Sequence, residues 1–171
     1  MTEETAPGFA QFYEEWFPKV YNYARHRTGS ATRADEIVSE TFTRAMRSWP
    51  SFDPSKGDRR TWLFSIAFRA VADHYRSESR RGWFGLDFLL GLEPREQGPD
   101  KKLEQAAEND RVVSALGSLS EEHREIVSLK FFGGLTNRAI AGLMSLSESN
   151  VAVIVFRSVR LLRKNLAGVE A

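Results

Sequence analysis

The sequence of 171 residues contains no cysteine, which excludes disulfide bonds, thiol catalysis and cysteine-ligated zinc sites. It has three histidines, and they are scattered along the chain at His26, His74 and His123. No glycine-rich phosphate loop or nucleophile motif accompanies them. We therefore predict no metal site and no cofactor, and a helical enzyme is the least favoured of the functional classes considered.

Long apolar runs and an excess of one charge are also missing. No run approaches the ~18 apolar residues that a membrane-spanning helix needs, and the acidic first residues lack a secretory signal pattern. These features predict a cytoplasmic protein without membrane insertion. The 24 Lys and Arg residues nearly balance the 23 Asp and Glu residues. Any surface that binds nucleic acid must therefore come from local clustering of basic side chains.

The apolar residues recur with helical spacing, and no segment shows the alternation of a β-strand. Residues 9–28 are predicted to form a helix whose seven aromatic residues build a core, with a kink or restart at Pro18. Ser30 or Thr32 can cap the next helix, which ends before Pro50. The chain therefore begins as a helical bundle.

A change of composition divides the chain. Residues 82–104 contain four glycines and two prolines. We predict an all-α fold of two small helical domains, at 9–81 and 105–166, joined by this segment as a flexible linker. The linker carries an apolar patch from Trp83 to Leu92, and such a patch is expected to pack on a neighbouring domain or on a partner.

Basic and aromatic residues interleave at the end of the first domain. Between Arg59 and Arg81 lie six arginines and two acidic residues. The aromatic residues of the same segment are Trp62, Phe64, Phe68 and Tyr75. Basic charge beside stackable rings is typical of proteins that bind opened or single-stranded DNA. The alternative is a basic surface helix whose rings belong to the core.

The stretch from Leu135 to Lys164 has the layout of a helix-turn-helix. Thr136 can cap a short helix, residues 144–147 have turn character, and Ser147 can cap a second helix. The second helix ends in Arg157, Arg160, Arg163 and Lys164. This pattern indicates a module that binds DNA, and the alternative is a pair of bundle helices with a basic, solvated end.

An acidic surface is predicted on the second helix. Asp35, Glu36 and Glu40 lie opposite its apolar stripe, and no histidine accompanies them. This face is either simply solvated or a binding surface for a basic partner.

Taken in order, these segments resemble bacterial sigma factors of the extracytoplasmic-function (ECF) type in the sigma-70 family, over about residues 9–166. ADEIVSETFTRAMRSWPSFDP, at 34–54, resembles the helix that binds the RNA polymerase clamp, with its following loop. KGDRRTWLFSIAFRAVADHYRSESRR, at 56–81, is similar to the segment that melts and recognises the −10 promoter element. ALGSLSEEHREIVSLKFFGGLTNRAIAGLMSLSESNV, at 115–151, resembles the −35 domain.

The resemblance implies an alternative sigma factor that binds core RNA polymerase, recognises both promoter elements and promotes DNA opening. Its implied partners are the clamp helices of the largest polymerase subunit, the flap of the second, promoter DNA and an anti-sigma factor. The residues implied for polymerase binding are Asp35, Glu36, Glu40 and Arg44. Those implied for the −10 DNA are Lys56, Arg60, Trp62, Arg69, Asp73 and Arg76. Those implied for the −35 DNA are Thr136, Asn137, Arg138, Ser147, Ser149, Asn150, Arg157 and Arg160.

Four departures from the family pattern concern the DNA-binding segments. Asp58 and Arg59 stand where the family often has a serine and an aromatic residue, and Arg69 replaces a common asparagine. In the second helix of the helix-turn-helix, two usually basic positions are Ala152 and Ile154. Its turn carries Ser145 in place of glycine, where a left-handed backbone is often needed. The candidates for base edges are Asn150 and Ser149, and those for phosphates are Arg157 and Arg160.

A second hypothesis is a helix-turn-helix regulator that binds DNA and never joins polymerase. The acidic face around Asp35 to Arg44 argues against it, because a simple repressor does not need such a surface. The resemblance leaves three roles open for the linker patch. The patch could bind an anti-sigma factor, hold the two domains together, or thread into polymerase.

Overall fold

The computed structural model describes the backbone of residues 8–80 and 100–167, and the side chains of residues 8–80 and 107–167. The predicted apolar patch of the linker lies outside the described residues. The described part consists of helices joined by short turns and contains no strand. Two short 3-10 turns, Trp49–Ser51 and Pro54–Lys56, lie between the second and third helices. The helices are α1 (Phe9–Thr28), α2 (Ala31–Ser48), α3 (Arg59–Arg80), α4 (Asp100–Gly117), α5 (Glu121–Phe131), α6 (Asn137–Met144) and α7 (Glu148–Ala167).

The first helix is continuous, so the restart considered at Pro18 does not occur. Pro18 lies at an exposed position, while Trp16 before it and Val20 after it are both buried in the same core. Burial of both halves of the helix holds it together across the missing backbone N–H. Ser30, rather than Thr32, caps α2 by accepting a hydrogen bond from the backbone N–H of Arg33.

Helices α1, α2 and α3 pack as the N-terminal bundle. Four of the seven aromatic residues of α1 are buried in its core, namely Phe9, Phe12, Trp16 and Tyr23, whereas Tyr13 is exposed and does not belong to the predicted core. The rings of Phe12 and Trp16 are in contact, and Trp16 and Tyr23 both meet Phe64 of α3 edge-on. α2 closes the bundle with its apolar stripe, which consists of Ala34, Ile37, Val38, Thr41, Phe42 and Ala45.

Helices α4 to α7 form the C-terminal domain. α4 begins at Asp100, inside the segment 82–104 that the sequence predicts as a flexible linker, and Ser120 caps α5 through the backbone N–H of His123. α6 and α7 meet at a bend of 107°, within the range of helix-turn-helix motifs. No single described helix has the length and apolarity to cross a membrane, and α6 with α7 meets those criteria only as a pair across this bend.

The two domains pack directly against each other and share one continuous core. Leu129, Leu135 and Ile140 of the second domain belong to the same buried cluster as Phe64 of the first. Gly133 lies so close to this contact that a Cβ atom would stand 3.1 Å from Phe64 and 2.7 Å from the carbonyl oxygen of Leu129. The backbone therefore has no room for a larger residue at this point of the interface.

A buried polar network crosses the same interface. The Tyr23 hydroxyl donates to Glu125 Oε1 at 2.5 Å, and Arg27 Nε donates to Glu125 Oε2 at 2.5 Å. Arg27 also pairs with Glu121 at 2.8 Å. Burial, and then the charge of Glu125, raise the pKa of Tyr23 well above its usual value. Burial opposes the charge on Arg27, but the Glu125 carboxylate and its neighbours outweigh that effect and raise the pKa of Arg27.

Candidate nucleic-acid interface

The predicted polymerase surface lies on the exposed side of α2. Asp35, Glu36 and Glu40 are all exposed. The expectation that no histidine lies near them is wrong for Glu36, because His74 Nδ1 of α3 lies 3.5 Å from its carboxylate. Arg44 lies at the end of this surface and donates to Glu40 at 2.6 Å and to Asp73 of α3 at 2.8 Å. Hydrogen bonds to Glu40 and then to Asp73 raise the pKa of Arg44. The acidic face thus ends in an arginine that is fixed in place by two carboxylates.

Asp73 joins the predicted polymerase and −10 surfaces. Its two carboxylate oxygens accept separate hydrogen bonds, from Arg44 of α2 and from Arg76 of α3 at 3.0 Å. Because Asp73 serves both arginines, it acts as a positioning group between the two surfaces. Arg69 lies on the same helix at an exposed position.

The predicted stacking residue Trp62 belongs to an aromatic cluster at the start of α3. Its ring centroid lies 5.0 Å from Phe52 and 6.1 Å from Trp49, and all three rings are half-buried. The Arg59 guanidinium lies 5.3 Å from the Trp49 ring centroid and 5.9 Å from that of Phe52. A cation beside half-buried aromatic rings can receive an unstacked base and its phosphate.

Trp49, Phe52 and Arg59 also belong to this cluster, although the sequence does not place them among the −10 residues and counts Arg59 only as part of the basic segment. The sequence offered one signal for them, which is their closeness to the predicted site. Trp49 and Phe52 lie shortly before α3, and Arg59 is its first residue. Their contacts depend on how the two 3-10 turns fold back onto α3, which spacing alone does not specify.

Asp58 has a structural role that sequence analysis did not assign. Its carboxylate accepts hydrogen bonds from the backbone N–H of Thr61 at 2.9 Å and from the Thr61 hydroxyl at 2.8 Å. It therefore caps the start of α3. These bonds, led by the one from the Thr61 backbone, lower the pKa of Asp58. Asp58 therefore fixes the first turn of the helix that carries Trp62.

Arg60 and Lys56, like Asp73 and Arg76, have intramolecular partners. Arg60 donates from Nη1 to the carbonyl oxygen of Gly134 in the second domain at 2.9 Å, and its guanidinium lies 5.5 Å from the Trp16 ring centroid. Lys56 pairs with Asp53 at 3.7 Å and remains exposed. Arg60 is thus engaged by the second domain in this arrangement.

The helix-turn-helix residues have the local geometry that the sequence predicts. Thr136 caps α6 through the backbone N–H of Ala139, and Ser147 caps α7 through that of Asn150. Ser145 ends α6 in the left-handed conformation, with φ 56°. Arg138 is exposed and pairs with Glu148 at 3.6 Å.

The predicted DNA-contacting residues of α7 share one exposed face. Ser149, Arg157 and Arg160 are all exposed, and Asn150 is exposed at the start of the helix. Val151, Ile154 and Ser158 are buried on the opposite face. The second helix of the motif is therefore free to enter a groove, while its other side is held by the domain core.

Comparison with family models and with curated proteins identifies the same two regions of the chain. Residues 12–81 match the family model described as Sigma-70 region 2, and residues 109–162 match Sigma-70, region 4. The ECF RNA polymerase sigma factor BldN of Streptomyces coelicolor is 30% identical over 161 residues, covering 94% of this chain and 61% of BldN. This chain belongs to the ECF sigma factors of the sigma-70 family. The ECF sigma factor SigL of Mycobacterium tuberculosis is 29% identical, covering 90% of this chain and 86% of SigL.

Solved structures show the same fold. CnrH, in complex with the cytosolic domain of CnrY, is 26% identical with a TM-score of 0.68, covering 94% of this sigma factor and 88% of CnrH. The sigma factor RpoE of Bartonella quintana, in complex with the anti-sigma factor NepR, is 20% identical with a TM-score of 0.73. The match covers 95% of this sigma factor and 98% of RpoE. This sigma factor spans about three fifths of the length of BldN.

Proposed function

We propose that this ECF sigma factor binds core RNA polymerase in the cytoplasm, directs it to promoters with −35 and −10 elements, and promotes DNA opening. The observation that carries the proposal is the ordered pair of matches to regions 2 and 4. We assign region 2 to residues 9–81, the linker to 82–104 and region 4 to 105–166. The protein has no catalytic step or cofactor of its own, since binding energy drives opening.

In this proposal α2 binds the clamp helices of the largest polymerase subunit. Glu36 and Glu40 present negative charge to the partner, and Arg44 is held at the edge of the face by its two carboxylate partners. Side chains that are already fixed on a rigid helix lose little conformational entropy when the partner binds, which favours a specific complex. Asp35 extends the same exposed surface.

The start of α3 captures the opened −10 strand. Flipping a base out of the stack costs a few kcal/mol, and a fitted aromatic site offsets that cost. Trp62, Trp49 and Phe52 supply the rings, and Arg59 supplies a cation for the phosphate. Lys56, Arg60, Arg69 and Arg76 add basic charge around this site, as expected for a contact with the sugar–phosphate backbone.

The helix-turn-helix binds the −35 element, with α7 in the major groove and α6 across the backbone. Arg157 and Arg160 lie on the exposed face of α7 and suit phosphate contacts. Ser149 and Asn150 lie at its first turn, where recognition helices contact base edges. The flap of the second polymerase subunit would bind this same domain.

Promoter recognition requires the two domains to separate. The −35 and −10 elements lie about 25 base pairs apart, which at roughly 3.4 Å per pair is about 85 Å. A compact chain of this length has a radius of gyration near ~15 Å and cannot reach both elements at once. The structure therefore corresponds to a closed form, in which the second domain holds Arg60.

We also propose an anti-sigma partner. CnrH, which has a similar fold and is 26% identical in sequence, is bound to the cytosolic domain of CnrY. A partner that binds both domains would favour the closed form by mass action.

Co-purification with core RNA polymerase tests the proposal. We expect Glu36→Arg with Glu40→Arg to abolish polymerase binding, because two charges facing the partner are reversed. Glu14→Arg is the matched control, since Glu14 is an exposed glutamate on α1 outside the proposed surface. Retention of polymerase by the double variant would contradict the clamp assignment. A protein that binds promoter DNA but never co-purifies with polymerase would instead be a simple helix-turn-helix regulator, which the family matches do not favour.

A further inference from the structure

The exposed face of α7 is apolar at its centre. Residues three and four apart share a face of a helix, so six exposed residues of α7 form one stripe. The stripe consists of Ser149, Ala152, Val153, Phe156, Arg157 and Arg160. Along the helix its chemistry changes from polar to apolar to basic.

The apolar centre does not serve the core of the protein. The Phe156 side chain is 69% exposed and that of Val153 is 44% exposed, whereas the core face of α7 consists of Val151, Ile154 and Ser158. An exposed ring and an exposed branched side chain on adjacent turns contribute little to folding. They are available to a binding partner.

Charge identifies the partner as DNA. The basic residues Arg157 and Arg160 lie on the stripe beside Phe156, and Arg163 and Lys164 extend the positive charge along the last turns. From Ser149 to Arg157 the stripe rises about 12 Å, at roughly 1.5 Å per residue. The major groove is about 12 Å wide, so the apolar centre would face base edges while the arginines reach the phosphates.

Thymine offers the apolar group that such a centre can contact. In the major groove each base pair presents hydrogen-bonding groups, and the C5 methyl of thymine is its apolar feature. Alanine and phenylalanine side chains are among those that contact it in protein–DNA complexes. Of the two usually basic positions in this helix, Ala152 lies on the stripe, whereas Ile154 is buried on the core face. The stripe therefore presents an apolar side chain to the bases at a position where the family usually has a basic one.

We infer that Val153 and Phe156, together with Ala152, recognise thymine methyl groups in the −35 element. The inference rests on the proposed binding of α7 to the −35 element, and it adds the feature of the DNA bases that α7 recognises. This sigma factor should prefer −35 sequences with thymines at the positions that face the stripe.

Replacement of thymine by deoxyuridine tests the inference without altering the protein. Promoters are first selected from a random library by holoenzyme formed from the full chain and core RNA polymerase. Each thymine of the selected −35 element is then replaced by deoxyuridine, which lacks the methyl group and keeps every hydrogen-bonding group. We expect binding of the holoenzyme to weaken about fourfold per contacted thymine, the value of one buried methyl group. Deoxyuridine in the spacer should have no effect.

The protein side of the contact is tested with Val153→Ala and Phe156→Ala combined. This variant should show a smaller difference between thymine and deoxyuridine promoters than the unaltered protein, because the two larger contacting side chains are gone and only alanine remains on the stripe. Leu166→Ala is the matched control, an exposed apolar residue of α7 outside the stripe, and it should keep the full difference. Equal binding of both promoters by the unaltered protein would overturn the inference, as would weaker polymerase binding by the double variant, which would assign the stripe to a protein partner.

A further variant separates failure of this inference from failure of the proposed function. Arg157→Ala with Arg160→Ala should reduce binding to all promoters that carry a −35 element. If it does so while deoxyuridine has no effect, α7 binds the −35 DNA without thymine recognition, and the inference is wrong. If it has no effect at all, the −35 assignment itself is wrong.

Discussion

Glu125 is the residue on which the polar contact between the two domains depends. It is buried, and both of its oxygens accept hydrogen bonds from α1, one from Tyr23 and one from Arg27. A buried carboxylate is tolerated only when it is paired and hydrogen-bonded. Removal of its charge would leave the buried guanidinium of Arg27 with a single carboxylate partner, Glu121, at a more exposed position.

We predict that Glu125→Gln lowers the free energy of unfolding by about 3 kcal/mol, the usual cost of breaking a buried ion pair. Glu122→Gln, at an exposed position of the same helix turn, should change it by less than about 0.5 kcal/mol. Urea denaturation of both variants makes the comparison. Equal stability of the two variants would show that the Glu125 pair does not support the closed form.

His26 makes the same interface sensitive to acid. Its ring stacks on Phe132 of the second domain, with centroids 3.7 Å apart, and its Nδ1 lies 2.7 Å from the carbonyl oxygen of Asn22. Burial lowers the pKa of His26 below its usual 6.5, despite the opposing effect of that hydrogen bond. The unfolded chain therefore takes up a proton at a pH where the folded ring stays neutral, and stability falls as the pH drops below 6.5.

We expect His26→Gln to reduce this loss of stability on acidification. The measurement is the free energy of unfolding at several pH values on both sides of 6.5 for the two proteins. Effects of the carboxylates are common to both, so the difference in slope isolates His26. Parallel pH profiles would contradict the prediction.

At the scale of the elements, the turn of the helix-turn-helix carries a strained residue. Ser145 ends α6 with φ 56° and ψ 40°, and its backbone N–H bonds to the carbonyl oxygen of Ala141. A left-handed conformation costs a residue with a Cβ atom about 1–2 kcal/mol, a cost that glycine avoids. The turn thus sets the 107° bend between α6 and α7 at the expense of local strain.

Ser145→Gly is therefore expected to raise the free energy of unfolding by about 0.5–1 kcal/mol. Glycine relieves the backbone strain of the folded state, and the greater conformational entropy that it gives the unfolded chain offsets part of that gain. Ser145→Val should lower it, because a β-branched residue tolerates this conformation least. Thermal unfolding of the two variants gives the sign. A destabilised glycine variant would mean that the serine side chain stabilises the turn by more than the strain costs.

The sequence was sufficient to predict the helices and most of their caps, because those depend on residues within one or two turns. Apolar spacing locates α2 and α3, and Thr136 and Ser147 cap the helices that follow them. The paired contacts across the domains were not predictable. Nothing nearby distinguishes Glu125 from the exposed Glu121 and Glu122, since its partners lie 98 and 102 residues earlier in the chain.

In the candidate site, too, the local features were predictable from the sequence and the long-range contacts were not. Residue types and order indicated the basic, aromatic start of α3, but the cluster around Trp62 is completed by the fold of the intervening turns. Likewise, the engagement of Arg60 by Gly134 depends on the arrangement of the domains. Contacts of this kind follow from tertiary packing, which local patterns do not encode.

On the scale of the whole molecule, the account requires two states. In the closed state the domains share a core, and binding to polymerase and promoter must supply the free energy that separates them. The absence of cysteine allows a direct measurement, since dyes can be attached at Gln11→Cys and Ser114→Cys, both at exposed positions. We predict efficient energy transfer in the free protein and a marked loss of it in the promoter complex.

Glu125→Gln should also lower the energy transfer in the free protein. It removes contacts between the domains that exist only in the closed state, so it destabilises the closed state relative to the open one. Unchanged transfer in a promoter complex that is active in transcription would contradict the two-state account. Such a result would mean that the packed arrangement of the domains persists during initiation.

Run-off transcription on a random promoter library tests the central claim most directly. Core RNA polymerase is supplied with or without the full chain, and the transcript starts are mapped. The account predicts starts at a fixed distance from a shared −10 sequence that appear only with the chain and disappear with Glu36→Arg and Glu40→Arg. Binding of promoter DNA by the chain without any promoter-specific transcript would contradict it.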